Sequence, residues 1–393
     1  MRGRTVFMDS LRQHGVRAIF GNPGTTESPL LDSLADYPDI RYITVLHESI
    51  AVSAAVLYAQ ASGESVVANV HVAPGLGNAL GSLYGALKSS APVVLTAGQQ
   101  DTRLRLRDPV LGYDLVAMAA PLVKWATQVN NADEMAAVMQ RAFTIANEAP
   151  KGPVFVALPI NVMEQETQNG AWAGGPVHAE PRPDEAAIAA AVAILAKAQK
   201  PVIVASDDVA RAGATPQLVA LAERLGAPVY QDTLRQHAVF PNQHVSYGGT
   251  LPLDAAALRT LLGGADALLM LGGPFFEEVW YDAARAVPDD VQIVQLAHAP
   301  GVIARNFGVA AGIVCGLKPG IEALLHALEP AVPSAVALPE RPVIAISGDG
   351  SAMYTIQSLW TAALLELSIV FVILANREYR VLKHNMDTYR ARF

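Results

Sequence analysis

Thiol chemistry is almost missing from this 393-residue chain, which carries a single cysteine, Cys315. It can form neither an intrachain disulfide nor a thiolate metal cage, and a cytoplasmic setting is the expectation. Charge is scarce as well. Asp, Glu, Lys and Arg make up 16% of the residues against 52% hydrophobic ones, with a formal net charge of −8. Such a balance implies a large buried interior or extensive subunit contacts. The one basic cluster is Arg103, Arg105 and Arg107, too small to track a phosphate backbone, so no nucleic-acid partner is expected. It reads as a solvated loop or a subunit contact. Long apolar runs are absent too. The segment from Ala362 to Ala375 is broken by Glu366 and falls short of the roughly 18 residues a membrane span needs. The first ten residues hold no apolar core for a signal peptide. No membrane partner is expected.

What the chain does have is alternation. In residues 1–165, short apolar runs lead into helix-like stretches: Arg17-Ala-Ile-Phe20 into Gly21-Asn-Pro-Gly24, Tyr42-Ile-Thr-Val-Leu46 into His47-Glu48, and Ser65-Val-Val-Ala-Asn-Val70 into His71. Pro92-Val-Val-Leu-Thr96 precedes Ala97-Gly-Gln-Gln100, and Gly152-Pro-Val-Phe-Val-Ala-Leu-Pro159 closes the segment. Five such strands separated by helices predict a parallel sheet covered on both faces, with functional loops at the strand ends. Residues 166–184 are polar and turn-rich, which is linker chemistry. A second α/β domain is expected over 185–330, with strands at Pro201–Ser206, Pro228–Tyr230, Ala267–Gly273 and Val291–Leu296. The first of these runs into Ser206-Asp207-Asp208, where a dinucleotide-binding fold needs a glycine-rich turn and a bare helix N-terminus. Acidic side chains there repel a pyrophosphate, so neither FAD nor NAD is expected.

The third segment, 335–393, reads as strand, acidic turn, helix, strand, amide: Val343-Ile-Ala-Ile-Ser347, Gly348-Asp349-Gly350, a helix-like stretch, Ile369-Val-Phe-Val-Ile-Leu374 and Asn376. If the two strands are parallel neighbours, Asp349 and Asn376 emerge at one carboxyl edge, a spacing that can hold Mg²⁺ against a diphosphate. An acidic turn in an ordinary α/β sheet is the other reading. A strand-helix-strand fragment cannot bury both faces of its sheet alone. Because the proline-rich stretch 330–339 runs straight into Arg341-Pro-Val-Ile344, the strands that should come first have no room. Residues are therefore expected to be missing near 334 and after 393, or the domain is degenerate.

Four features of the first segment fall at strand ends: Asn22-Pro23-Gly24-Thr25-Thr26-Glu27, His47-Glu48, His71, and Ala73-Pro-Gly75-Leu-Gly-Asn78-Ala-Leu-Gly81. Singly, each has a structural explanation: a turn capped by Thr25, a carboxylate favouring a helix start, a satisfied histidine, or a close helix–strand contact. Together with the distal Gly-Asp-Gly and Asn376, they make the chain resemble the thiamine-diphosphate-dependent 2-keto acid decarboxylase and carboligase superfamily. The resemblance runs along the whole chain. It is strongest toward the benzoylformate decarboxylases, at Phe20-Gly-Asn-Pro-Gly-Thr-Thr-Glu27, Tyr58-Ala-Gln-Ala-Ser62, His71 with Pro74-Gly-Leu-Gly-Asn-Ala79, Thr96-Ala-Gly-Gln-Gln100, Pro121-Leu-Val-Lys-Trp125, and Gly348-Asp-Gly-Ser-Ala352 with Leu359-Trp-Thr-Ala-Ala363.

The resemblance implies an α/β, three-domain architecture of parallel sheets flanked by helices, with the third domain incomplete in this sequence. It implies that Glu48 hydrogen-bonds N1′ of the cofactor's aminopyrimidine, its proton affinity raised by burial. His71 would transfer protons, and Thr25 would hydrogen-bond the substrate carboxylate. Asn22, Pro23, Gly24, Gly75, Asn78, Gly348, Asp349, Gly350, Ser351, Asn376, Glu378 and Tyr379 would contact thiamine diphosphate. Asp349, Asn376 and the main-chain carbonyl of Glu378 would hold Mg²⁺ or Ca²⁺. Val110, Leu111, Phe275 and Leu382 are candidates for an apolar substrate wall. Since Glu48 of one subunit would face Asp349 of another, a homodimer is the minimum and a homotetramer the expectation.

Three departures stand out. Thr25 replaces a serine, Val279 occupies the place of a second-domain histidine, and Ala375-Asn376 replaces an Asn-Asn pair. The implied activity is decarboxylation of a 2-keto acid, aromatic by resemblance, to an aldehyde and CO₂. Its alternatives are a carboligase of the acetolactate-synthase type, a 2-hydroxyacyl-CoA lyase, and a non-catalytic cofactor-binding paralogue.

Overall fold

The computed structural model describes residues 1–172, 180–233, 235–276, 283 and 285–328, together with strands 343–348 and 369–374. Two compact units result, Met1–Glu322 and Ala323–Phe393.

The first unit contains two six-stranded sheets. Strands β1 (Ala18–Asn22), β2 (Arg41–Thr44), β3 (Val66–Val70), β4 (Val93–Gln99), β5 (Ala126–Gln128) and β6 (Val154–Pro159) form one of them. They lie in the order β2-β1-β3-β4-β6-β5, and every pairing is parallel. Helices cover both faces, as the near-continuous apolar strands require. On one side α1 (Gly3–Gln13), α2 (Ser28–Ser33) and a later helix, Met135–Asn147, bury Phe7, Leu11, Leu30, Met139 and Phe143 against Ile19, Val67 and Val156. On the other, α3 (Glu48–Ser62) and α4 (Val72–Lys88) bury Ala51, Ala55, Leu76 and Leu83 against Phe20, Ala68 and Leu95.

Chain order fixes where a crevice opens. The segment after β1 turns to the α2 face while the segment after β3 turns to the α4 face, although Asn22 and Val70 are register partners on adjacent strands. Ligands bind at such topological switch points, outside the carboxyl ends of the strands. Beneath the crevice a polar file crosses the sheet: the Tyr42 hydroxyl donates to Asn69 Oδ1 at 3.0 Å, Asn69 Nδ2 donates to Thr96 Oγ1 at 3.1 Å, and the Thr96 hydroxyl donates to the Ala68 carbonyl at 3.2 Å. Burial, and then the charge of Glu27, push the Tyr42 phenol above its ordinary range.

The second sheet comprises β7 (Pro201–Ala205), β8 (Val229–Gln231), β9 (Tyr247–Thr250), β10 (Ala267–Leu271), β11 (Gln292–Ala297) and β12 (Ala311–Val314), ordered β12-β11-β10-β7-β8-β9 and also parallel. At the carboxyl end of β7 the Ser206 hydroxyl caps a five-residue helix, Asp207–Arg211. Asp207 accepts from the amides of Gln236 at 2.7 Å and His237 at 3.0 Å, and Asp208 Oδ1 accepts from Arg211 at 2.7 Å. Cys315 is buried in this region, where desolvation pushes its thiol up to about 11 and away from reactivity.

Both sheets contain strands beyond those expected, β5, β9 and β12. Each is a sheet edge of three or four residues, and β9 and β12 carry glycine. In the second unit β13 (Val343–Gly348) pairs in parallel with β14 (Ile369–Leu374), and Gly348 lies opposite Leu374. Among the described residues no helix is long and apolar enough to cross a membrane.

Gly21 lets the Tyr42 ring cross β1, because a Cβ there would come within 2.1 Å of the hydroxyl oxygen. Gly21→Ala is expected to cost about 1–3 kcal/mol of stability through overpacking, measured as a lower denaturant midpoint.

Candidate active site

Glu48 opens α3, behind the N-cap His47, whose Nδ1 accepts from the Ser49 amide at 3.2 Å. This position aims the acid at the helix N-terminus, where the macrodipole favours negative charge. The residue is 6% exposed. Asn22 at the end of β1 donates its side-chain amide to Oε1 at 3.0 Å, and Asn78 of α4 donates to Oε2 at 3.0 Å. Gly75 makes room, since a Cβ there would lie 3.0 Å from Oε1. Four expected site residues, Asn22, Glu48, Gly75 and Asn78, thus converge from three elements.

The electrostatics correct one expectation. Burial alone would raise the proton affinity of Glu48, but hydrogen bonds from Asn78, its own backbone amide and Asn22, with the nearby His47, outweigh it. The net shift is downward. Hydrogen bonding to the charged form wins over desolvation, so the carboxylate stays an acceptor at neutral pH.

His71 is the N-cap of α4, at the end of β3, and keeps 24% of its side chain exposed. Its Nδ1 lies 2.7 Å from Glu27 Oε2 and 3.2 Å from Thr26 Oγ1. Gly24 is where the ring packs, and a Cβ there would approach Nδ1 to 2.3 Å. Val72, the next residue, is fully buried and holds φ at +41°, a strained region for a β-branched side chain.

Sequence reasoning assigned no role to Glu27 or Thr26, although both lie inside the quoted Asn-Pro-Gly run. Glu27 sits three residues after Gly24 and accepts its amide at 2.8 Å, the spacing of a capping box, which was the available signal. Thr26 is buried against His71, whereas Thr25 is exposed on the same short turn.

Of the expected substrate wall, the described residues Val110, Leu111 and Phe275 lie in different surroundings. Phe275 is 1% exposed and belongs to the core of the second sheet, with Leu258, Leu268 and Met270. Its phenyl ring therefore fills that core rather than a pocket. Val110 is 97% exposed, and Leu111 is half-buried beside it. Arg103, in the short helix Thr102–Arg107, pairs with its N-cap residue Asp101. Asp349, Gly350, Ser351, Asn376, Glu378, Tyr379 and Leu382, and the departure at Val279, lie outside the described residues. Among the described residues no group of three or more His, Cys, Asp or Glu could hold a metal.

Models of the thiamine pyrophosphate enzyme N-terminal TPP-binding domain, central domain and C-terminal TPP-binding domain match residues 1–118, 188–324 and 305–392. The chain belongs to the thiamine pyrophosphate enzyme family. It is 29% identical to a benzoylformate decarboxylase of Pseudomonas aeruginosa, covering 95% of this chain and 85% of that protein. That alignment runs over 455 positions, more than the 393 residues present here. It therefore passes over stretches of the relative without a counterpart in this chain. An acetolactate synthase large subunit of Parasynechococcus marenigrum is 29% identical over 77% of this chain, and the match spans only 50% of that protein. Among solved structures, the thiamine diphosphate-dependent 4-hydroxybenzoylformate decarboxylase of Rhodococcus jostii superposes with a TM-score of 0.78 at 26% identity, over all of this chain and 89% of the other.

Because its native proton affinity is depressed, Glu48 stabilises the fold above the ordinary carboxylate range of about pH 4. The contribution is lost as pH falls through the lower native value. Asn78→Leu removes one donor, so its destabilisation should be larger at neutral pH than at roughly pH 3, as read from urea unfolding at the two pH values.

Proposed function

We propose that this chain catalyses thiamine-diphosphate-dependent, non-oxidative decarboxylation of an aromatic 2-keto acid of the benzoylformate type, releasing an aldehyde and CO₂. The observation that carries the reading is the buried Glu48 carboxylate, fixed by Asn22 and Asn78 and packed against position 75, where a Cβ would lie 3.0 Å from Oε1. An acceptor so held fits the ring nitrogen of a protonated heterocycle, which is the chemistry of the aminopyrimidine end of the cofactor. When bound, thiamine diphosphate supplies the carbon nucleophile and the electron sink for cleavage of the carboxylate bond.

The chain's own residues supply the rest. Glu48 keeps a negative charge where a ring proton must be shared, and its two amide donors prevent it from turning away. Asn22, Pro23 and Gly24 form the adjoining turn. His71 carries a proton to and from the reacting substrate. Thr25 offers a hydroxyl to the substrate carboxylate, with Val110, Leu111 and Leu382 as apolar neighbours. At the diphosphate end, Gly348, Gly350, Ser351 and Tyr379 would meet the phosphates, while Asp349, Asn376 and the Glu378 carbonyl would hold Mg²⁺ or Ca²⁺. The parallel register that sets Gly348 opposite Leu374 fits this, because the chain leaves both strands at one edge.

Assembly is part of the proposal. A homodimer, and beyond it a homotetramer, would bring Glu48 of one protomer to the Asp349 turn of another. Exposed Ile50 and Leu57 on α3 and Tyr84 on α4 support a partner surface, as do Gly77, Gly81 and Gly85, where an added Cβ would meet nothing within 4 Å. Acetolactate-synthase-like carboligation is the second reading, favoured by similarity to that relative.

Glu48→Gln is expected to abolish exchange of the cofactor C2 proton, followed by hydrogen–deuterium exchange in the presence of Mg²⁺, and to lower turnover by at least about 10²-fold. Unchanged exchange would remove Glu48 from the activation step, whereas a non-catalytic cofactor-binding protein would show no enhanced exchange for the substitution to abolish. CO₂ release from benzoylformate, set against acetolactate formation from pyruvate, separates the two catalytic readings.

A further inference from the structure

We infer that Glu27 is the positioning residue that fixes the tautomer of His71, keeping hydrogen on Nδ1 and leaving Nε2 as the nitrogen that exchanges a proton with the substrate. The inference rests on His71 being the proton carrier of the proposed reaction. Its evidence is the hydrogen bonding around one carboxylate whose side chain is 1% exposed.

Both oxygens of Glu27 are already occupied by donors. Oε1 accepts from the Gly98 amide at 2.8 Å and from the Thr26 hydroxyl at 3.0 Å, and Oε2 accepts from the Gly24 amide at 2.8 Å. An ionised carboxylate can only accept, and the Thr26 hydroxyl, whose oxygen lies 3.2 Å from Nδ1, gives its hydrogen to Oε1 instead. His71 Nδ1, 2.7 Å from Oε2, must then carry a hydrogen. In a neutral imidazole one nitrogen donates and the other accepts, so the lone pair falls on Nε2. In either direction of transfer one proton joins or leaves Nε2 while the Nδ1 hydrogen stays in place, which keeps the ring from presenting the wrong nitrogen.

The surroundings leave the ring little freedom to flip. Its Nδ1 side lies against Gly24, where a Cβ would stand 2.3 Å away, and Gly98 is equally tight, with a Cβ 2.0 Å from Glu27 Oε1. Carboxylate and ring are locked from β1, β3 and β4 together.

The test uses the holoenzyme, loaded with thiamine diphosphate and Mg²⁺ and labelled with ¹⁵N-histidine, at about pH 9, where ordinary imidazoles are neutral. The His71 signals are assigned by their loss in His71→Gln. Hydrogen on Nδ1 in the unaltered protein, and its redistribution to Nε2 in Glu27→Gln, are expected. In the same variant kcat should fall by about 10²-fold while KM moves less than about threefold. Hydrogen on Nε2 in the unaltered protein overturns the inference even if the variant fails to fold, and so does a variant whose tautomer is unchanged. Full turnover by His71→Gln would remove the catalytic half of the inference along with the proposed proton carrier, whereas the ¹⁵N spectrum judges the positioning half separately.

Discussion

Two carboxylates held out of water at the ends of parallel strands are the constraint on which this molecule turns. A buried charge is tolerated only when donors surround it, and both sites meet that demand by drawing partners from strands distant in sequence. Glu48 is satisfied from β1 and α4, Glu27 from its own turn and from β4. The donors come together only if the strand order is right, so the chemistry of the crevice and the topology of the sheet are one requirement. The small residues follow from it: Gly24, Gly75 and Gly98 each stand where an added methyl would strike a carboxylate or an imidazole.

Much of this is legible in the sequence. Central strands announce themselves as apolar runs, and the motifs at their ends, read with the family resemblance, point to Asn22, Glu48 and Asn78, which hydrogen bonds bring together. The edge strands β5, β9 and β12 escaped because they are brief and half-exposed or glycine-containing, so no apolar run marks them. Glu27 escaped for another reason. A carboxylate in a turn reads as a helix cap, and only the fold reveals that β4 supplies a second amide from seventy-odd residues away. The sign of the Glu48 shift was out of reach too, since it depends on a balance between desolvation and three hydrogen bonds that composition does not encode. Phe275 misled because an aromatic pair after a strand can line a pocket or fill a core, and here the core claims it.

The second sheet shares its architecture with the first but closes its switch point differently. Asp207 and Asp208 occupy the start of the helix after β7 and spend their oxygens on the amides of Gln236, His237 and Gly273 and on Arg211. A helix start that is bare elsewhere in α/β folds is here stitched to neighbouring loops.

The file from Tyr42 through Asn69 to Thr96 also acts as a ruler. Sliding β2 by a single residue along β1 would turn the phenol to the opposite face and strand the Asn69 carboxamide without its donor inside the sheet. Apolar runs tolerate such slippage, being alike at every step, whereas a chain of matched hydroxyl and amide groups fits at one offset alone. Alignment of the strand ends, and with it the meeting of groups above them, is thereby encoded from below.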